Sequence, residues 1–301
     1  MSRQYVFTAY GGPQGEELRR RTVPEPGPGQ ITVQVQAAGV NPVDWKIREG
    51  LLGRHEPVPV PMGREVAGVV TALGPGVQGV GLGDEILGPV AHGEGGFADH
   101  AVLDVAALVP KPADMPFPVA AVLPVAGTAA YDLTHQIELE AGQRLLVIGA
   151  GGGVGHLAAQ IGSAHQFQVL GVASPAKQSF VESAGATFIP AGPDAARAVR
   201  ELVPAGVDLM VDLVGGQALR DMAAVVKDPR RIISAADPGT AEELGGEGRQ
   251  ASPGALQKVT DVVAHDLATP HIARTFSLAR ARDAVSEVES GHTTGKVVIE
   301  P

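Results

Sequence analysis

Arg144-Leu-Leu-Val-Ile-Gly-Ala-Gly-Gly-Gly-Val-Gly155 is a short apolar run that breaks into glycines, and residues 154–164 after it carry a helical pattern. Strand, glycine loop, helix is the context in which a glycine pattern signifies a dinucleotide site. Gly152 would admit the backbone to a pyrophosphate, and Gly155 would let helix and strand pack closely. The amides of Gly151, Gly152, Gly153, Val154 and Gly155 would add the partial positive charge of a helix N-terminus. Ala150 stands where the first glycine of G-x-G-x-x-G belongs.

About 20 residues beyond that glycine, NAD-binding folds place an acidic residue on the ribose 2′-hydroxyl. Here the chain reads Val172-Ala-Ser-Pro-Ala-Lys177, with no acid. An aspartate would repel a 2′-phosphate, whereas Ser174 and Lys177 offer a hydroxyl and a point charge. NADPH is therefore the expected cofactor. The alternative is that Ser174 caps the next helix, with Pro175 as its first residue, and Lys177 is solvated.

Outward from this loop the chain alternates strand and helix. Residues 168–173, 208–213 and 231–234 read as buried strands, 217–226 as helical, and 119–130 as an alanine-rich helix before the first strand. The alternation predicts a doubly wound parallel sheet, a Rossmann half, over residues 118–264. The first third is different. Ile31-Thr-Val-Gln-Val-Gln-Ala37 alternates with period two after the breaker run Pro24-Glu-Pro-Gly-Pro-Gly29, and residues 66–73 and 101–109 repeat the pattern. Residues 1–117 are expected to form a mostly β, partly open barrel, rejoined by a tail (265–301) with strands near 271–278 and 296–300 and a helix at 281–289. Residues 256–267 read as helix.

Between 237 and 254, Gly245-Gly-Glu-Gly-Arg-Gln-Ala251 has no β-branched residue, so the segment reads as loop. The sheet is expected to stop at five strands or to end in a weak edge. The expected assembly is a monomer, or a homodimer joined through a surface other than that edge.

The 301 residues are 44% hydrophobic and 19% charged, enough to bury cofactor and substrate together. A net charge of −10 disfavours nucleic acid, as does the 4% aromatic content, which gives no stacking platform. Arg19, Arg20 and Arg21 read as a solvated strand edge. With no cysteine, disulfides, thiolate nucleophiles and cysteine-based zinc sites are excluded. Residues 1–8 show no basic segment before an apolar run, and no stretch approaches the roughly 20 apolar residues of a membrane span. A cytoplasmic location without membrane partners is expected.

An ordered series of motifs then resembles the zinc-independent quinone and enone oxidoreductases of the medium-chain dehydrogenase/reductase superfamily. It comprises Ala37-Ala-Gly-Val-Asn-Pro-Val-Asp44, Gly63-Arg-Glu-Val-Ala-Gly-Val-Val70, Gly83-Asp-Glu85, Gly95-Gly-Phe-Ala98, Gly127-Thr128, the glycine loop, Val211-Asp-Leu-Val-Gly-Gly216 and Gly291-His-Thr-Thr-Gly-Lys-Val-Val298. The resemblance implies a GroES-like catalytic domain beside the Rossmann half. It also implies Asn41 beside the nicotinamide ribose, Thr128 near the cofactor phosphates, and Val214 and Ser234 near the ring.

Zinc-dependent relatives carry a catalytic cysteine within the stretch that here spans 39–44, and a histidine where this chain has Arg64. Both ligands are missing, so no metal is expected; His92 and Glu94 alone do not replace that catalytic zinc site. The quinone reductases' two tyrosines are replaced by Lys46 and Leu52. Asn41-Pro-Val-Asp-Trp-Lys46 looks more like the enone and alkenal branch. Lys46 would then donate to an enone oxygen, a contribution of roughly 3 kcal/mol for a preorganised donor; otherwise it pairs with Asp44 or Glu49. Trp45 is either a substrate wall or core.

The implied function is metal-free, NADPH-dependent hydride transfer to an activated C=C bond of a small carbonyl compound, or to a quinone. A one-electron quinone reductase and a non-catalytic NADPH-binding sensor are the alternatives.

Overall fold

The computed structural model describes residues 1–301, which divide into two units: 1–125 with 271–301, and 126–270.

In the first unit, β1 (Ser2–Phe7) pairs antiparallel with β2 (Glu16–Arg21), where Arg19 and Arg20 are exposed as expected but Arg21 is half-buried, bonded to Glu94 at 2.9 Å and to the His100 carbonyl at 3.0 Å. The long β3 (Gln30–Val40) follows the expected alternation from Val33 on, with Val33 and Val35 buried and Gln34 exposed, but Thr32 is buried with Ile31, its hydroxyl donating to the Pro24 carbonyl at 2.8 Å. Helix α1 (Pro42–Glu49) follows directly. Next come β4 (Val60–Pro61), β5 (Glu65–Leu73), β6 (Glu85–Pro89), β7 (His100–Asp104) and β8 (Val109–Pro110). β3 pairs with β5 and β7, and β5 with β6, all antiparallel, around a core that includes Phe7, Ile31, Val66, Phe97 and Leu103.

The unit runs on through α2 (Phe117–Ala120) to Val125, several residues past the expected boundary. The expected single helix over 119–130 is in fact α2, a π turn at Leu123–Gly127 and then α3 (Thr128–His135). Pro124 has no N–H to give the ladder, and the Val125 amide donates to the Glu65 side chain instead, 2.7 Å away. By length and composition residues 117–135 are apolar enough to cross a membrane, contrary to the expectation from sequence, but 67% of that window is buried within the protein.

The second unit is built on β9 (Arg144–Ile148), α4 (Gly153–Ala164), β10 (Gln168–Ala173), α5 (Gln178–Ser183), β11 (Thr187–Pro190), α6 (Ala195–Leu202), β12 (Leu209–Asp212), α7 (Gly216–Met222), β13 (Ile232–Ser234), α8 (Pro238–Glu243), β14 (Glu247–Gly248) and α9 (Ala255–Ala264). All neighbours pair in parallel, in the order β11-β10-β9-β12-β13-β14. That is the doubly wound 3-2-1-4-5-6 arrangement, whose direction reverses between β9 and β12. Strands buried on both faces explain their near-continuous apolar runs, such as Leu145 to Ile148.

Two expectations are corrected here. The segment 237–254 is not loop throughout: Asp237 accepts from the Thr240 amide at 3.1 Å and Pro238 opens α8, a cap-and-proline signal masked by the surrounding Gly and Glu. The sheet has a sixth strand rather than stopping at five, and it is the weak edge that was the other expectation. β14 is only two residues, pairing Ile233 with Glu247 and Ser234 with Gly248; just before it a Cβ on Gly246 would lie 2.4 Å from the Ile232 carbonyl oxygen, so the chain meets this edge closely enough to require glycine there.

The tail returns to the first unit as β15 (Ile272–Ser277), α10 (Ala281–Glu289) and β16 (Lys296–Glu300), with β16 antiparallel to β3. The boundary lies at 270/271 rather than 264/265 because Ala268 packs with Leu157, Ala158 and Ile161 of the second unit. Arg48 of α1 is buried, bonded at 2.7 Å to both Glu16 and Glu289, so a three-way ion pair fixes that helix between β2 and α10.

Candidate active site

In the second unit the expected cofactor residues gather at the carboxyl ends of the parallel strands. β9 ends in Gly149, whose φ of +90° only glycine adopts without strain. The amides of Gly149 and Ala150 both bond the Val172 carbonyl, 3.0 Å away, which ties the loop to β10. A Cβ on Gly155 would stand 2.3 Å from the Gly149 carbonyl oxygen, so the close crossing of α4 over β9 requires glycine there. Gly152, the residue before α4, is different. A Cβ there would meet only the Gly149 oxygen, at 3.5 Å, and would otherwise project into open space. Such a site, with the first amides of α4 free of intrahelical partners, fits a pyrophosphate.

Ser174, at the end of β10, is exposed and caps nothing with its side chain, and Pro175–Lys177 is a 3-10 turn preceding α5, not the first turn of one helix. The Ser174 hydroxyl is thus available at the position where a ribose substituent would lie. The Lys177 stem lies against the loop: a Cβ on Gly151 would be 2.4 Å from Lys177 Cδ. Burial pulls the Lys177 ammonium below its ordinary value.

After β12, Val214 is 56% exposed beside the glycine loop, its Cγ2 within 3.2 Å of where a Gly149 Cβ would be. An exposed aliphatic surface at this edge suits a flat ring. Ser234 is buried. Its hydroxyl donates to Asp212 at 2.6 Å and accepts from the amides of Ala236 and Asp237, so it shapes the edge and has no capacity left for a ligand. Asp212 also accepts from the Val214 and Gly215 amides and so fixes both the Val214 turn and the Ser234 hydroxyl. Its sequence signal was a strand-terminal Asp before Gly-Gly, which alone does not reveal that role. Thr128 opens α3, where Arg249 Nη2 donates to it at 3.3 Å while holding Asp132 at 2.6 Å.

Asn41 and Lys46 belong to the first unit. Asn41 precedes α1, with its side chain in a buried polar network. Its amide nitrogen donates to Glu65 Oε1 at 2.6 Å, and its oxygen accepts from Lys296 Nζ at 2.6 Å. Lys296 also donates to the Val40 carbonyl and lies 3.6 Å from Glu65. Burial drives Glu65 up and Lys296 down, each toward its neutral form; their mutual attraction and the Asn41 bonds oppose this. Sequence reasoning missed Glu65 and Lys296 as a pair, since nothing local links residues on β5 and β16.

Asp44 is buried one turn into α1. One oxygen accepts from the Asn41 amide at 2.8 Å and the other has no partner. Burial pushes its carboxyl up to about 7, with the Glu65 charge adding and the Asn41 bond, Arg64 and Lys296 opposing. The native state therefore holds a proton that the unfolded chain releases near pH 4, and stability falls as pH rises from about 4 to about 7. Asp44→Asn keeps the acceptor and removes the titration. Urea unfolding at pH 5 and pH 8 is expected to show the variant gaining on the parent by about 3 kcal/mol at the higher pH; a difference independent of pH would contradict the raised carboxyl.

Lys46 pairs with neither Asp44 nor Glu49, which bond to Asn41 and Arg48 respectively. Its ammonium sits 5.9 Å from the Trp45 ring centroid, and Trp45 is half-buried against the barrel core. Catalytic zinc does not fit this unit. There is no cysteine, Arg64 bonds Glu56, and the Glu65 carboxylate faces an ammonium, which cannot ligate; a side chain at Gly39 would itself collide with Glu65, at 2.0 Å.

Residues 27–113 match the alcohol dehydrogenase GroES-like domain and residues 184–299 the zinc-binding dehydrogenase family. The NADPH-dependent alkenal/one oxidoreductase of Arabidopsis thaliana chloroplasts is 30% identical over 99% of this chain and 79% of its own length. The chain belongs to the quinone and enone oxidoreductase family of the medium-chain dehydrogenase/reductase superfamily. Another similar protein of this superfamily is the quinone oxidoreductase of Coxiella burnetii, which superposes with a TM-score of 0.89 at 26% identity, covering 100% of this chain and 99% of its own. The synaptic vesicle membrane protein VAT-1 homolog-like of Mus musculus is 31% identical over 71% of the chain, which spans about half (51%) of that protein's length. The zinc-binding label describes the family model; this member lacks the donor set.

Proposed function

We propose that the protein is an NADPH-dependent, metal-free reductase of an activated C=C bond in a small enone or enal, or of a quinone. The observation that carries this reading is the glycine cradle at the carboxyl end of β9, with the Lys177 stem against Gly151 and the Ser174 hydroxyl exposed in place of an acid. When bound, the cofactor supplies hydride from C4 of its nicotinamide.

The remaining tasks fall to side chains. Asp212 orients the Val214 edge and anchors Ser234, so the ring-binding rim is set before the cofactor arrives. Lys296 and Glu65 hold the Asn41 amide in one orientation. Lys46, the unpaired cation of α1, donates a hydrogen bond to the carbonyl oxygen as negative charge grows there. Because it makes no competing ion pair, no bond must break before it acts. The names of the relatives, an alkenal/one oxidoreductase and a quinone oxidoreductase, support the same substrate class.

Fluorescence titration with both cofactors tests the reading. At least tenfold tighter binding of NADPH than NADH is expected, with Lys177→Ala eroding the difference; equal affinities would refute the 2′-phosphate assignment. Turnover is expected to survive prolonged chelation, and loss of activity restored by zinc would refute the metal-free mechanism.

A further inference from the structure

Away from the glycine loop, α3 and α4 end side by side, and each terminus presents a histidine. His135 is the last residue of α3, and His165 directly follows α4. Both are exposed, and their Nε2 atoms lie 3.2 Å apart. We propose that this pair is a binding site for a divalent transition metal of the Zn²⁺, Ni²⁺ and Cu²⁺ class, with water completing the coordination.

The geometry argues for a shared ion. Two imidazoles directed at one tetrahedral metal, each about 2.05 Å from it, have nitrogens about 3.2 to 3.4 Å apart and ring centroids about 5 Å apart. The observed centroid separation is 5.0 Å, with the rings 76° apart. A head-on N–H···N bond of the same length would place the centroids about 5.5 Å apart. The rings are therefore not aligned end to end, and an ion beside the line joining the nitrogens can reach both Nε2 atoms.

The surroundings fit a cation ligand set. His135 Nδ1 lies 2.8 Å from the Tyr131 carbonyl, which can only accept, so the proton sits on Nδ1 and Nε2 keeps its lone pair. His135 stacks on Tyr131 and His165 on Phe167, restraining both rings. Two helix C-termini add partial negative charge. The Lys258 ammonium, 5.6 Å from the Tyr131 centroid, is the one opposing charge.

Since α4 is 12 residues long, the site stands about 18 Å from the glycine loop, and its occupancy is not expected to change turnover. The test is calorimetric titration of the chelator-stripped full chain with Cu²⁺ and with Zn²⁺ at pH 7.5, on the parent and on His135→Gln and His165→Gln. Micromolar binding of one Cu²⁺ per chain is expected, tighter than Zn²⁺, and weakened at least tenfold by either substitution at unchanged melting temperature. Two-nitrogen hyperfine structure in the Cu²⁺ spectrum should disappear with it. No micromolar binding by the parent, or equal binding by parent and both variants, would overturn the site.

Discussion

Gly155→Val is expected to abolish NADPH binding, and Gly152→Ala to weaken it at least thirtyfold while leaving the melting temperature unchanged. At Gly155 the obstacle is backbone: a Cβ would meet the Gly149 oxygen at 2.3 Å and Ala150 Cα at 2.8 Å, so α4 has to lift from β9. That displacement opens the packed core beneath, and overpacking of this kind costs about 1–3 kcal/mol or more. A loss of binding there does not separate a ligand role from a damaged fold. Gly152 makes the separation. Its φ of −96° is open to any residue, and its Cβ would touch nothing closer than 3.5 Å. The methyl group occupies only the space that a pyrophosphate needs. Cofactor fluorescence and thermal unfolding on both variants check this, and Gly152→Ala binding as tightly as the parent would remove the phosphate from this loop.

Lys46→Met is expected to lower the rate constant for enone reduction by roughly two decades while leaving NADPH affinity intact, because it keeps the stem and removes the donor. The structure strengthens this expectation: no carboxylate neutralises Lys46, and α1, which carries it, is fixed by the buried Arg48 ion pairs with Glu16 and Glu289. The loss should fall in the turnover number, since the bond strengthens only as charge develops on the oxygen. An unchanged rate would return Lys46 to the role of a surface cation.

How much of this was legible in the sequence varied with the range of the interaction responsible. Strands at 168–173 and 296–300 and the glycine loop were readable because apolar runs and glycines act locally. β14 was not, since two residues, Glu247 and Gly248, carry no strand propensity and pair only because β13 offers an edge. The π turn at Leu123–Gly127 depends on Glu65 taking the Val125 amide, a contact between distant segments. The network around Asn41 is longer in range still: Lys296 is 255 residues away, brought alongside by the pairing of β16 with β3. Resemblance named Asn41, yet the two side chains that fix its amide, Glu65 and Lys296, come together only in the folded barrel.

The central claim, direct hydride transfer to an activated C=C bond, is tested most directly with NADPH deuterated at C4 and a simple enone, the product being read by mass spectrometry and NMR. The account predicts one deuterium per product molecule, on the carbon β to the carbonyl, transferred from one face of the nicotinamide only. Tight NADPH binding with no label delivered to any enone or quinone would contradict it.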